Sequence, residues 1–435
     1  MHRAVLVHDS GRMMERQQPD RVIHRPARRW LQLALGVICM VMVANLQYGW
    51  SLFVNPIDAK WQWGRADIQV AFMIFVFATT WLMPLAGYCA DRFGARPVAM
   101  LGGVLVAASW GANAYAGALE AFYASSVVGG AGAAAVYGAC IGNALKWFPD
   151  QRGFAAGLTA AGFGTVSAAT VLPIHAVIQA HGYPSAFLYF GLGQGIIVLI
   201  AAAFLASPPA DNFVAGQRPA PTLPREFGPL AVLCTRAFWV MYLLFFLVAT
   251  AGLMAIAQLA AIAKEYAIAN TPVSIIDLTL PALTFALAID RVFSGLTRPF
   301  FGWVSDRLGR ELTMGIAFSL EAAAIVALAQ FGHDPLWFVL LTGLIFFGWG
   351  EIYSLFPATS ADTFGARYAA THAGLLYTAK GMAALVVMAF SATLLPTSGW
   401  QVTFYCAAGM NALAAVLAVF VLHPLRRRLN AQPES

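Results

Sequence analysis

Long apolar runs separated by short polar turns fill most of the 435 residues. The runs fall at roughly 30–54, 69–90, 98–117, 120–145, 154–179 and 184–207, and again at roughly 236–262, 277–301, 312–331, 336–358, 369–395 and 400–422. Each is about 20 residues or longer, enough for a helix to cross a hydrocarbon core of ~30 Å. In that solvent the backbone must satisfy its own hydrogen bonds, which selects helices. The pattern predicts an all-α membrane protein with twelve transmembrane helices. It divides into a tail at 1–29, a six-helix half at 30–207, a polar linker at 208–235, a second six-helix half at 236–424 and a tail at 425–435. Nothing reads as a strand-rich domain.

The two halves repeat one another. Pro84, Gly87, Asp91, Arg92 and Gly94 match Pro299, Gly302, Asp306, Arg307 and Gly309 at one offset of 215 residues. Ala156-Gly157-Leu158 matches Ala373-Gly374-Leu375 at 217, and Tyr137 matches Tyr353 at 216. Two departures stand out. Where the first half has Met83 the second has Arg298, and where the first has Phe163 the second has Lys380. An ionisable side chain at membrane depth is costly, and its default reading is functional. Scaffold positions follow the repeat while the cations depart from it, so Arg298 and Lys380 are candidates for substrate contact. The alternatives are a fixed ion pair for Arg298 and snorkelling for Lys380. Asp91-Arg92 and Asp306-Arg307 lie in turns between spans, where a gating role is expected. The Gly-Ala run from Gly129 to Gly138 reads as close helix packing.

Composition and charge sharpen the picture. The chain is 60% hydrophobic and 11% charged, against about 25% charged in soluble domains. The net charge of +6 is sorted by side rather than gathered into a nucleic-acid patch. With both termini on one side, that side holds 20 Lys and Arg, seven of them in the tail. The other side holds three, Lys60, Arg65 and Lys264, and Arg291, Arg298 and Lys380 fall within spans. This asymmetry predicts cytoplasmic termini in a multi-pass protein of the plasma membrane, the inner membrane of a bacterium. The 1–29 tail reads as disordered. Five cysteines without a CxxC pair support neither a disulfide framework nor a metal site. There is no Gly-x-x-x-x-Gly-Lys-Ser/Thr stretch, so ATP is not the driver. No nucleophile–base pair occurs at membrane depth. Neither an enzyme nor a cofactor is expected.

Twelve spans in two halves, with Gly-x-x-x-Asp-Arg-x-Gly after spans 2 and 8, resemble the major facilitator superfamily. The finer match is similar to its oxalate/formate antiporter family. It rests on Gln47-Tyr48-Gly-Trp50, Val136-Tyr137-Gly138, Trp147-Phe-Pro-Asp150-Gln-Arg152-Gly153, Thr297-Arg298-Pro299, Trp349-Gly-Glu-Ile-Tyr353 and Ala379-Lys380. The resemblance implies that an arginine in span 8 and a lysine in span 11, here Arg298 and Lys380, together hold a small carboxylate. It also implies an aromatic cage at Tyr48, Tyr137, Trp349, Tyr353 and Tyr377. Phe163 stands where the oxalate-type pattern has a tyrosine, and Glu351 where it has a small neutral residue. Asp290-Arg291 is a further added pair.

These readings combine into a secondary transporter of small mono- or dicarboxylates. One central site opens alternately to each side. Arg298 offers a planar fork and Lys380 a point charge. Two desolvated cations repel when the site is empty, which favours exchange. The other reading is a proton-coupled monocarboxylate symporter. Glu351 bears on the choice: ionised in the cavity, it would suit a monocarboxylate, and protonated, a dianion. A monomer in the lipid bilayer is expected.

Overall fold

The computed structural model describes residues 26–165, 167–208, 226–275, 278–393 and 395–431. The tail before Pro26, the linker around Arg218 and the Arg291 side chain lie outside them. Span 1 is α1 (Pro26–Tyr48) and α2 (Ser51–Trp61), followed by α3 (Arg65–Phe93), α4 (Ala95–Tyr115) and α5 (Leu119–Trp147). Span 5 is α6 (Arg152–Thr165) with the first part of α7 (Ser167–Ala203); α7 bends at Gly182, φ +78°, and continues as span 6. The second half runs α8 (Arg236–Glu265), α9 (Ala282–Leu308), α10 (Arg310–Phe331), α11 (Pro335–Trp349), α12 (Ile352–Phe364), α13 (Ala369–Thr393) and α14 (Leu395–Leu417). A π turn leads from α14 into α15 (His423–Ala431).

The polar pattern gives four boundaries differently from the structure. Span 8 was expected from about 277, but α9 begins at Ala282. The preceding residues pair as an antiparallel hairpin, β1 (Pro272–Ile275) with β2 (Leu278–Pro281). Span 10 breaks between α11 and α12, with Gly350 and Glu351 at the joint. The first helix starts inside the expected tail and brings Arg29 to Asp150 at 3.1 Å. The last enters the other tail, and Arg426 donates to Thr363 at 2.6 Å and pairs with Glu311 at 2.5 Å. Ten helices among the described residues are long and apolar enough to cross a membrane. α9 is not one of them, because Asp290, Arg291, Arg298, Asp306 and Arg307 interrupt its hydrophobicity.

The halves meet along two pairings related by the repeat: α3 against α13, and α9 against α6. Four glycines permit them. A Cβ on Gly87 would overlap the Ala370 carbonyl, and one on Gly374 the Met83 carbonyl. A Cβ on Gly302 would overlap the Gly153 carbonyl, and one on Gly157 the Arg298 carbonyl. Small residues allow helix backbones this near. Beside each approach an aspartate caps a helix of the opposite half. Asp91 accepts from the Thr371 N–H at 2.8 Å and hydroxyl at 2.7 Å, and pairs with Lys146 at 2.6 Å. Asp306 accepts from the N–H groups of Gly153 at 2.9 Å and Phe154 at 2.8 Å. Both place negative charge at a helix N-terminus. Gly94 and Gly309 then turn the chain at φ +94° and +95°, which a side chain would strain.

The α6–α9 side carries more. Arg310 pairs with Asp306 and Asp362, both at 2.7 Å, and Arg152 reaches the same Asp362 at 2.8 Å. This seam lies on the face that holds Pro26, α15 and the turns after α3, α5, α9 and α12, and it closes the molecule there.

Two outcomes follow from the seam. Gly302→Leu puts a side chain where the Gly153 carbonyl lies. Spin labels at Arg96 and Arg367, both exposed and in different halves, should move apart; an unchanged distance distribution would count against this approach as the closure. Asp362→Asn strips Arg152 of its carboxylate. It should cost roughly 2–3 kcal/mol, less than the ~3–5 kcal/mol of a fully buried pair, because the Asp362 side chain is partly exposed and Asp306 still holds Arg310. A lowered thermal midpoint in detergent is the check, and an equal midpoint refutes it.

Candidate anion site

A cavity of about 330 Å³ lies between the halves on the inner side of the seam. Its walls include Tyr48, Arg298, Trp349, Tyr353 and Lys380, and they continue through Gln69, Leu253 and Ile256 toward the opposite face. The helices bring in each group for local reasons. α1 ends beside Tyr48 where Gly49 and Trp50 break the span. α9 presents Ser294 and Arg298 one turn apart. The α11–α12 break sets Trp349 and Tyr353 on the cavity side of one joint.

Arg298 is buried, at 3% exposure. One guanidinium nitrogen donates to the Ala160 carbonyl at 2.5 Å, across the halves, and another to Ser294 Oγ at 3.4 Å. Its Nε has no hydrogen-bond partner among the described residues. The guanidinium carbon stands 4.4 Å from the Tyr353 ring centre. Lys380 donates to the Tyr377 hydroxyl at 3.2 Å and lies 5.1 Å from the same Tyr353 ring. Tyr353 thus touches both cations with its π-system, a favourable contact once water is excluded. Among the described residues neither cation forms a salt bridge.

The aromatic residues form one connected chain of rings. Tyr48 meets Phe163 at 5.8 Å, Phe163 meets Tyr137 at 5.7 Å, and Tyr137 meets Tyr377 at 5.3 Å. Tyr377 meets Tyr353 at 6.2 Å, and Tyr353 meets Trp349 at 6.1 Å. Tyr377 therefore sits between Tyr137 and Tyr353, the two tyrosines the repeat relates. Trp349 packs its indole on Gly252, where a Cβ would overlap it. Two buried donors in this chain, Tyr137 Oη and Trp349 Nε1, have no partner among the described residues.

The other candidates lie apart from the cavity wall. Glu351 is fully buried behind the α11–α12 joint, and its charged neighbour is Glu321 of α10. Asp91 and Asp306 reach across the seam. Arg92 and Arg307 do not: Arg92 donates to Tyr88 at 3.0 Å, and Arg307 lies 3.6 Å from the Trp303 ring centre, each on its own helix. Sequence reasoning did not single out the Arg152–Asp362–Arg310 cluster or Glu321. A carboxylic acid midway along the apolar run 312–331 was a readable signal, of the kind that marked Arg298.

Comparison with known proteins agrees with the fold. The family model of the Major Facilitator Superfamily matches residues 33–289 and 250–435. A curated relative from Oxalobacter formigenes, named an oxalate:formate antiporter, is 32% identical over 414 residues, 93% of this chain and 95% of its own length. Monocarboxylate transporter 3 of Rattus norvegicus is 27% identical over 53% of this chain and 48% of its own. Among solved structures, a proton:xylose symporter superposes with TM-score 0.69 at 12% identity, covering 90% of this chain and 95% of that one. A human organic anion transporter gives TM-score 0.59 at 16% identity, covering 92% and 99%. Identities this low speak for the fold alone. Two six-span halves that meet at repeated glycines and enclose one cavity carry this agreement along the chain, which belongs to the major facilitator superfamily of membrane transporters.

Proposed function

We propose that the chain exchanges small carboxylates, oxalate- or formate-like mono- or dianions, across the bacterial inner membrane by alternating access. One observation carries the reading. Arg298 and Lys380 face the cavity with no salt bridge among the described residues, and the buried donors Arg298 Nε, Tyr137 Oη and Trp349 Nε1 have no hydrogen-bond partner among them either. A carboxylate is acceptor-only and can take several such bonds at once. Arg298 matches it with two parallel donors, and Lys380 adds charge without directional demand. The likeness to the oxalate:formate antiporter of Oxalobacter formigenes supports the same class.

The cycle then uses the groups already described. Asp91 and Asp306 hold the seam shut while the cavity faces the opposite side. A bound anion offsets the repulsion between the cations and lets the halves close over it; opening the seam releases it on the terminus-bearing side. An empty, doubly cationic cavity resists closure, which makes return without cargo slow. On the charge asymmetry the terminus-bearing side is the cytoplasm.

Arg298→Ala, Arg298→Lys and Lys380→Ala should each lower counterflow of labelled oxalate and formate in proteoliposomes at least about 30-fold, the equivalent of ~2 kcal/mol. Arg298→Lys fails too because a point charge cannot replace the fork. Normal counterflow in a correctly inserted alanine variant would sink the two-cation site. For sidedness, single cysteines at Arg96 and at Arg65, in a cysteine-free background, separate the two faces. An impermeant maleimide applied to intact cells should label position 65 and spare position 96, and the reverse pattern overturns the orientation.

A further inference from the structure

Glu321 of α10 and Glu351 at the α11–α12 joint are both 0% exposed. None of their four carboxyl oxygens has a hydrogen-bond partner among the described residues. The backbone brings them together. A Cβ on Gly348 would lie 2.9 Å from the Glu321 Cβ, so α10 runs hard against α11 at that point. Gly348 and Glu351 are three residues apart, on one face of the helix turn. Asn411 of α14 closes the same space, also fully buried and with both amide atoms unpartnered. The Glu351 carbonyl, by contrast, is fully used, accepting from the N–H groups of Ser354 and Leu355, both at 2.9 Å, and from Ser354 Oγ at 2.9 Å.

The charged groups around this pair are few. α9 turns Arg298 and Asp290, and α13 turns Lys380, to the cavity side of the joint. α8 offers Gly252 to Trp349, and α14 offers the neutral Asn411. Glu321 is the ionisable neighbour of Glu351 across the α10–α11 contact. Two carboxylates side by side in an apolar bundle, with the neutral Asn411 amide beside them and no cation paired to either among the described residues, cannot both ionise: each would be a buried charge next to a like charge.

We infer that Glu321 and Glu351 form a proton-binding carboxyl pair behind the carboxylate cavity, and that its proton occupancy sets the affinity of the cavity for anions. The second clause rests on the function proposed above; the first does not. The joint is the route between them. It carries Glu351 on its inner side and Trp349 and Tyr353 on its cavity side, and Thr297, next to Arg298, abuts Gly350. A fully protonated pair puts no negative charge behind the two cations and leaves the cavity more attractive to an anion. An ionised member lowers that potential. Coupling between two binding events is reciprocal, so anion binding also draws a proton onto the pair.

Two measurements decide the matter. Infrared spectra of the purified protein at neutral pH, without ligand, should show carboxylic-acid absorption that Glu321→Gln and Glu351→Gln each diminish. Variant spectra that superimpose on the unsubstituted protein overturn the pair, as does loss of the band on adding sodium, which would make it a cation site. In proteoliposomes, the affinity for labelled formate should rise as the pH falls, by up to about tenfold per pH unit for one linked proton. Glu351→Gln should keep counterflow and lose this slope. A slope that survives in Glu351→Gln and in Glu321→Gln overturns the coupling, because a merely structural pair would not have set it. Should neither oxalate nor formate support counterflow in the unsubstituted protein, the proposed function fails while the infrared result still stands or falls by itself.

Discussion

Two like charges buried in one cavity, neither of them salt-bridged among the described residues, are the constraint to which most of the site responds. A guanidinium and an ammonium taken out of water lose hydration that only specific neighbours can replace. Here the neighbours are partial: a backbone carbonyl and a hydroxyl for Arg298, one tyrosine hydroxyl for Lys380, and the face of Tyr353 for both. Each lowers the cost without cancelling the charge. A carboxylate paired to either cation would do so fully, and the site would then be a brace rather than a receptor.

The repeat separates scaffold from chemistry in physical terms. Glycines 87, 302, 157 and 374 each face a backbone carbonyl of the other half, so both halves need them equally. Met83 and Arg298 make this concrete. Their carbonyls play the same part in the seam, facing Gly374 and Gly157, while their side chains have nothing in common. The backbone at these positions is held by symmetry and the side chain is free to specialise.

The helix count, the halves and the seam glycines were legible because hydrophobic runs, offsets and missing side chains are properties of one dimension. The aromatic chain was legible only through a resemblance; no spacing along the sequence says that Tyr48, Phe163, Tyr137, Tyr377, Tyr353 and Trp349 will touch in that order. The hairpin at 272–281 was hidden because its residues are apolar enough to extend the run at 277. Glu351 stands apart from the cavity wall for a geometric reason. It lies between two cavity residues in sequence, yet one residue is about 100° of helix rotation, and the broken joint turns it into the core. Glu321 was passed over because a lone acid has no repeat partner of opposite character to draw the eye.

The two sides of the seam differ in a way that bears on the surrounding solution. On the α3–α13 side the closure is chiefly an aspartate on backbone N–H groups, with one lysine beside it. On the α6–α9 side four charged side chains, Arg152, Asp306, Arg310 and Asp362, alternate in sign. When the halves part, those four become wet, and dissolved ions screen them over a Debye length of about 8 Å at physiological ionic strength. Added salt therefore stabilises the parted charges more than the buried ones. The seam is in that sense hinged on electrolyte: the fraction of molecules parted on the terminus-bearing face should drift upward with ionic strength, beginning from the α6–α9 side.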